Sequence, residues 1–119
     1  MDEFKNWIKL AKEDLKTAEY NKKGKKYKVA AFLSQQAAEK ALKALAIKKK
    51  GEIRKIHDLV ILGKDVGISN DLLQKLKELS PVYIYTRYPD VPEIDNIKDK
   101  VTSFLETAKE VIKWVEENL

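Results

Sequence analysis

Residues 27–50 are the segment that most constrains the fold, because they are apolar around most of a helical circumference. Thirteen apolar residues lie between Val29 and Ile47, and seven of them are alanine. A helix that is apolar on most sides lies between partners, and small alanine side chains let neighbouring helices approach closely. Gly51 follows as a C-terminal stop. We therefore predict a central helix from Tyr27 to Lys50.

Four further helices are predicted around the central one from apolar residues at helical spacing. They are residues 2–24 capped by Asp2, residues 57–66 closed by Gly67, a fourth helix capped by Ser69 and ended near Pro81, and a final helix capped by Asp95. Residues 81–94, rich in tyrosine and proline, are predicted to form a long extended loop. The chain is thus predicted to be all-α: a five-helix antiparallel up-and-down bundle of three long helices and a shorter pair, in a single domain spanning residues 1–119.

Composition excludes several kinds of chemistry. The chain has no cysteine and one histidine, so thiolate nucleophiles, disulfides and multi-histidine metal centres are impossible. It also lacks a phosphate loop, a dinucleotide fingerprint and a nucleophile elbow. We predict no metal and no cofactor. No segment has the length of apolar sequence that a membrane span or a signal peptide needs, which predicts a cytoplasmic protein.

Charge is unevenly distributed along the chain. Residues 1–60 hold 16 Lys or Arg against 8 Asp or Glu, whereas residues 61–119 hold 8 against 11. This asymmetry is compatible with an anionic partner or with electrostatic docking between halves or subunits. The lysine runs at residues 22–28 and 48–55 could contact a nucleic acid backbone, but a solvated face explains them as well. The Lys- and Glu-rich composition is thermophile-like.

Three groups of polar residues are candidates for function. On the central helix, Gln36 and Lys40 lie one turn apart and could line a polar groove, or could simply face solvent. His57 and Asp58 begin the third helix, where free backbone N–H groups favour an anion, although Asp58 could merely offset the helix dipole.

The third group lies within residues 83–90, which hold three tyrosines and Arg87. The planar guanidinium suits bidentate phosphate binding, and the rings of Tyr85 and Tyr88 offer faces for base stacking. Alternatively, these tyrosines pack on the bundle and Arg87 pairs with an acidic neighbour.

Three runs of residues together resemble the HEPN family. They are residues 30–45 (AAFLSQQAAEKALKAL), 57–59 (HDL) and 85–90 (YTRYPD), in this order and spacing, and the opening helix is also similar. The resemblance implies a five-helix domain built on an antiparallel bundle. It further implies a homodimer that binds nucleotides and is often encoded beside a minimal nucleotidyltransferase, in a toxin–antitoxin-like module.

The resemblance leads to a specific functional expectation: a nucleotide- or RNA-phosphate-binding subunit without catalytic residues. Arg87 is expected to hold phosphate and Tyr85 and Tyr88 to shape or stack on the ligand, while the groove is lined by His57, Gln36 and Lys40.

Two alternatives remain open. Many relatives are metal-independent ribonucleases that carry an arginine followed closely by a histidine, but no histidine follows Arg87 here. An endoribonuclease would therefore require His57 and Arg87 to meet in the fold or across a dimer. The other alternative is a helical module that only binds a protein partner.

Overall fold

The computed structural model describes residues 3–90 and 95–119, and every regular element in these two ranges is a helix. The prediction of an all-α bundle is confirmed. The helices are α1 (Glu3–Lys23), α2 (Tyr27–Lys50), α3 (Leu59–Asp65), α4 (Asn70–Leu79), α5 (Val82–Arg87) and α6 (Ile97–Asn118). None of the described helices combines the length and the apolar character that crossing a bilayer requires.

Helix α2 is the centre of the bundle, as its composition predicts. It packs most extensively against α1 and α6, the other two long helices, and also contacts α3 and α5. Seven alanines of α2 are buried, and Leu42 and Leu45 are inaccessible to solvent. Gly51 ends the helix in the left-handed conformation with φ of 75°, and its N–H donates to the carbonyl of Ile47. Both predicted ends of this helix are confirmed.

The segment predicted as a loop after Pro81 begins instead with the short helix α5. Pro81 has φ of −63° and occupies the N-cap position, so the proline that ends α4 also starts the next helix. Val82 is fully buried, and Thr86 Oγ1 donates to the Val82 carbonyl at 2.7 Å. Burial of Val82 outweighs the weak helix propensity of a tyrosine-rich stretch. Residues 91–94 of the predicted loop lie outside the described residues.

Two predicted caps differ from the structure or lie outside the residues it describes. The last helix is capped by Asn96, one residue after the predicted Asp95, and Asn96 has φ of 56° with no side-chain cap hydrogen bond. Asparagine tolerates the left-handed region better than most residues, which explains its place at this turn. The predicted cap Asp2 lies outside the described residues. Ser69 does cap α4, because its hydroxyl accepts from the Leu72 N–H.

Candidate functional site

The site is built around Glu39, a carboxylate on the otherwise apolar helix α2. Glu39 is only 4% exposed, and a buried charge is tolerated only where partners surround it. Lys43 Nζ lies 3.0 Å from Oε2, and Gln35 Nε2 donates to Oε1 at 3.3 Å. Gln35, Glu39 and Lys43 are spaced four residues apart and therefore share one face of the helix. They form a polar strip within the core.

His57 is the third partner of this carboxylate. Its Nδ1 lies 3.0 and 3.1 Å from the two oxygens of Glu39, and its backbone carbonyl accepts from Gln35 Nε2 at 3.1 Å. The chain after α2 thus returns along this helix, and both the ring and the backbone carbonyl of His57 are bound to it. Because a carboxylate can only accept, Nδ1 carries the proton, and in the neutral ring Nε2 is left as a free acceptor. The side chain is 47% exposed, so it is held at the surface.

Tyr83 of α5 connects His57 to Arg87. The Tyr83 and His57 rings stack with centroids 4.0 Å apart and planes inclined by 14°. The Arg87 guanidinium carbon lies 5.1 Å from the centroid of the Tyr83 ring, within cation–π range. Tyr83 and Arg87 are one helical turn apart, so α5 presents both on one face. His57 and Arg87, thirty positions apart in the sequence, therefore contact the same ring.

Arg87 has no carboxylate partner within residues 3–90 and 95–119. The sequence left open that an acidic neighbour neutralises Arg87. That part of the chain contains no such neighbour. The other arginine, Arg54, is bound by Asp65 with Nε 2.7 Å from the carboxylate. Arg87 is exposed and keeps its five N–H donors for a ligand.

An open groove of about 650 Å³ lies beside this cluster, between α3, α4 and α5. Its size is in the usual range for small-molecule sites. Its walls combine apolar surface with a few polar groups, as such sites do. The lining residues are His57, Asp58, Val60, Lys77, Ser80, Pro81, Tyr83, Ile84 and Tyr88.

The structure brings together only part of the predicted set. His57 and Tyr88 line the groove, and Arg87 contacts its wall residue Tyr83. Tyr85 lies two positions from Tyr83 and instead lines a second, smaller cavity that adjoins the groove.

Gln36 and Lys40 do not line the groove, contrary to expectation. The Lys40 ammonium pairs with Asp14 of α1, which draws it toward the α1–α2 interface. Gln36 Nε2 donates to Gln35 Oε1 at 2.7 Å, so Gln36 touches the polar strip only through its neighbour.

The expected anion site at the start of α3 is not available. Asp58 Oδ1 accepts from the N–H groups of Val60 and Ile61 at 2.9 and 3.2 Å. The Leu59 N–H donates to Ser80 Oγ at 2.9 Å. The protein's own acceptors therefore satisfy this helix end, and the carboxylate of Asp58 repels an anion. The helix also begins at Leu59, two residues later than predicted.

No site role is predicted from the sequence for Glu39 or Lys77, and Tyr83 is counted only as one of the three tyrosines of residues 83–90. A signal existed for Glu39, since a carboxylate four residues after Gln35 on an alanine-rich helix is unexpected unless it is paired. Nothing in the sequence indicates that Lys77 of α4 lies near His57, because only the packing of α4 against the rest of the bundle brings them together.

Fold and site together define an all-helical bundle. Its central helix carries a buried carboxylate, and an open groove lies beside the histidine that this carboxylate contacts. The model of the HEPN domain family matches residues 4–118. Because this match covers nearly the whole chain, the protein belongs to the HEPN domain family. The expected family resemblance is confirmed.

Solved structures agree with this assignment. TT1696 from Thermus thermophilus is 30% identical, with a TM-score of 0.89 and 100% of both chains covered. ST0689, described as an archaeal HEPN homologue, is 32% identical, with a TM-score of 0.78 and coverage of 99% of this chain and 98% of that one. A search of curated proteins found no significant match.

Proposed function

We propose that the groove beside His57 and Tyr83 binds a nucleotide or an RNA phosphate. The observation that carries this proposal is that Arg87 and His57 both contact the ring of Tyr83, a residue that lines an open groove. Arg87 lacks a carboxylate partner among the described residues, so its planar fork is free to hold a phosphate with two parallel hydrogen bonds. Lys77 adds a second cation to the groove wall.

The remaining residues of the groove have complementary roles. Tyr83 positions the two ligand-facing groups, since its ring contacts both His57 and Arg87. Tyr88 is 48% exposed at the groove and offers a ring face for a base. His57 donates or accepts through Nε2, depending on its protonation. Gln36 and Lys40 are left out of this proposal because they lie off the groove.

Family membership supports the wider part of the proposal. The protein would act as a homodimer with a separately encoded minimal nucleotidyltransferase, in a toxin–antitoxin-like module. Light scattering after size exclusion tests the dimer, and co-purification with the product of a neighbouring nucleotidyltransferase gene tests the partner. A monomer that binds no such protein would overturn this part alone. The cytoplasmic location stays a prediction from the sequence.

The test of binding is calorimetric titration of the purified protein with ATP, GTP and a short RNA. We expect Arg87→Ala to weaken binding by roughly tenfold or more, because hydrogen bonds to charged groups contribute about 1.5–3 kcal/mol. The matched control is Arg54→Ala, which removes the same charge from an arginine that Asp65 already holds. Equal affinities for wild type and Arg87→Ala would overturn the assignment.

A metal-independent endoribonuclease is the second candidate, and the Glu39–His57 contact favours it. A histidine oriented through Nδ1 by a carboxylate presents Nε2 as a general base for a ribose 2′-hydroxyl. Arg87 could then stabilise the charge that develops on the phosphate. RNA cleavage that persists in EDTA and is lost in His57→Ala would support this candidate. Absence of cleavage by the wild type would remove it. If neither nucleotide nor RNA binds, the protein-interaction module becomes the better account.

A further inference from the structure

A second cavity adjoins the groove on the opposite face of α5. It has a volume of about 390 Å³ and is formed by residues of α4, α5 and α6, with Tyr85 on its wall. Residues two positions apart on a helix point in nearly opposite directions. Helix α5 therefore presents Tyr83 to the groove and Tyr85 to this second cavity.

Lys77 and Pro81 line both cavities, so the two cavities adjoin at these residues. Lys77 pairs with no carboxylate in the described part of the chain and is exposed. In a dinucleotide the linking phosphate lies between the two nucleosides. A cation shared by two adjoining cavities is in the right place to neutralise such a phosphate.

The second cavity suits a nucleobase better than a further phosphate. Tyr85 is 36% exposed, which leaves ring surface on which a base can stack. Glu78, Asp99 and Lys100 also line the cavity. The two carboxylates disfavour a phosphate beyond the one at Lys77, and they accept hydrogen bonds from the exocyclic amino groups of bases. The volume lies within the usual range for ligand sites, toward its lower end.

We propose that this cavity is a second nucleotide subsite, so that the protein binds a single-stranded oligonucleotide of at least two residues in preference to a mononucleotide. The first nucleotide occupies the groove, with its own phosphate at Arg87 and its base at Tyr88. The linking phosphate lies at Lys77, and the next base stacks on Tyr85. This inference rests on the proposed function of the groove, and it specifies the minimum length of the ligand.

The test compares adenosine monophosphates, with the phosphate at the 3′ or the 5′ position, with the 5′-phosphorylated dinucleotide pApA by calorimetric titration. We expect pApA to bind the wild type at least tenfold more tightly than either mononucleotide. Tyr85→Ala is expected to weaken pApA binding on the order of tenfold, because stacking of a base on an aromatic side chain changes affinity by roughly this factor or more. The same variant should leave the affinity for mononucleotides unchanged. Tyr85→Phe keeps the ring and should retain pApA binding.

The matched control is Tyr20→Ala, which removes an exposed tyrosine of α1 that lines neither cavity. Thermal unfolding of each variant confirms that it is folded. If mononucleotides bind but pApA binds no more tightly, or if Tyr85→Ala leaves pApA affinity unchanged, the second subsite is overturned while the groove stands. If the wild type binds neither a mononucleotide nor pApA, the proposed function fails and this inference fails with it.

Discussion

Glu39 shows how a single residue can link the core of this protein to its surface. Its carboxylate holds the buried ammonium of Lys43 on one side and the exposed ring of His57 on the other. No buried side-chain nitrogen or oxygen among the described residues lacks a hydrogen-bond partner. The polar strip on α2 is therefore fully satisfied, and a change at Glu39 affects both stability and the groove.

Glu39→Ala is expected to lower the free energy of unfolding by about 3–5 kcal/mol, because it leaves Lys43 buried without its counter-charge. Urea denaturation measures the loss. The control is Glu110→Ala, which breaks an exposed ion pair with Lys75 and should cost about 1 kcal/mol or less. In that exposed pair the hydrogen bond to Glu110 raises the pKa of Lys75. Equal losses at the two positions would contradict the account of Glu39.

Among the helices, α2 could be predicted from the sequence and α5 could not. The ends of α2 follow from its apolar pattern and from Gly51, both of which act locally. Helix α5 could not be predicted in this way, because Val82 is held by burial in the core and only the assembled bundle supplies that burial. The contact between Glu39 and His57 is equally non-local, since it depends on how residues 51–58 return along α2.

Val82→Ala tests whether burial of one side chain stabilises α5. Val82 is fully buried, whereas Ile84 on the same short helix is 50% exposed. We expect Val82→Ala to reduce stability by about 1–3 kcal/mol through lost burial and a residual cavity. Ile84→Ala, another loss of a β-branched side chain, should change stability by about 0.5 kcal/mol or less. Chemical denaturation of both variants makes the comparison, and a larger loss at Ile84 would be inconsistent with this packing.

In the whole molecule, three separate parts of the chain meet at the cluster around His57 and Tyr83, beside the groove. Helix α2 supplies Glu39, the segment after it supplies His57, and α5 supplies Tyr83 and Arg87. His57 and Arg87 are thirty positions apart in the sequence, yet both contact the ring of Tyr83. The fold class and the candidates His57, Arg87 and Tyr88 could be predicted from the sequence. The contacts of Glu39 and Tyr83 follow only from the assembled fold.

The central claim is that ligand binds in the groove at Tyr83, whose ring both His57 and Arg87 contact. The chain offers a direct measurement of this claim. His57 is the sole histidine, so its ring protons give an isolated pair of NMR signals. Its stacking on Tyr83 at 4.0 Å predicts ring-current shifts in the free protein that Tyr83→Leu removes. Titration with ATP should move the His57 signals saturably in wild type and in Arg54→Ala, but only at much higher concentration in Arg87→Ala. His57 signals that stay unchanged while calorimetry shows the nucleotide bound would contradict the account.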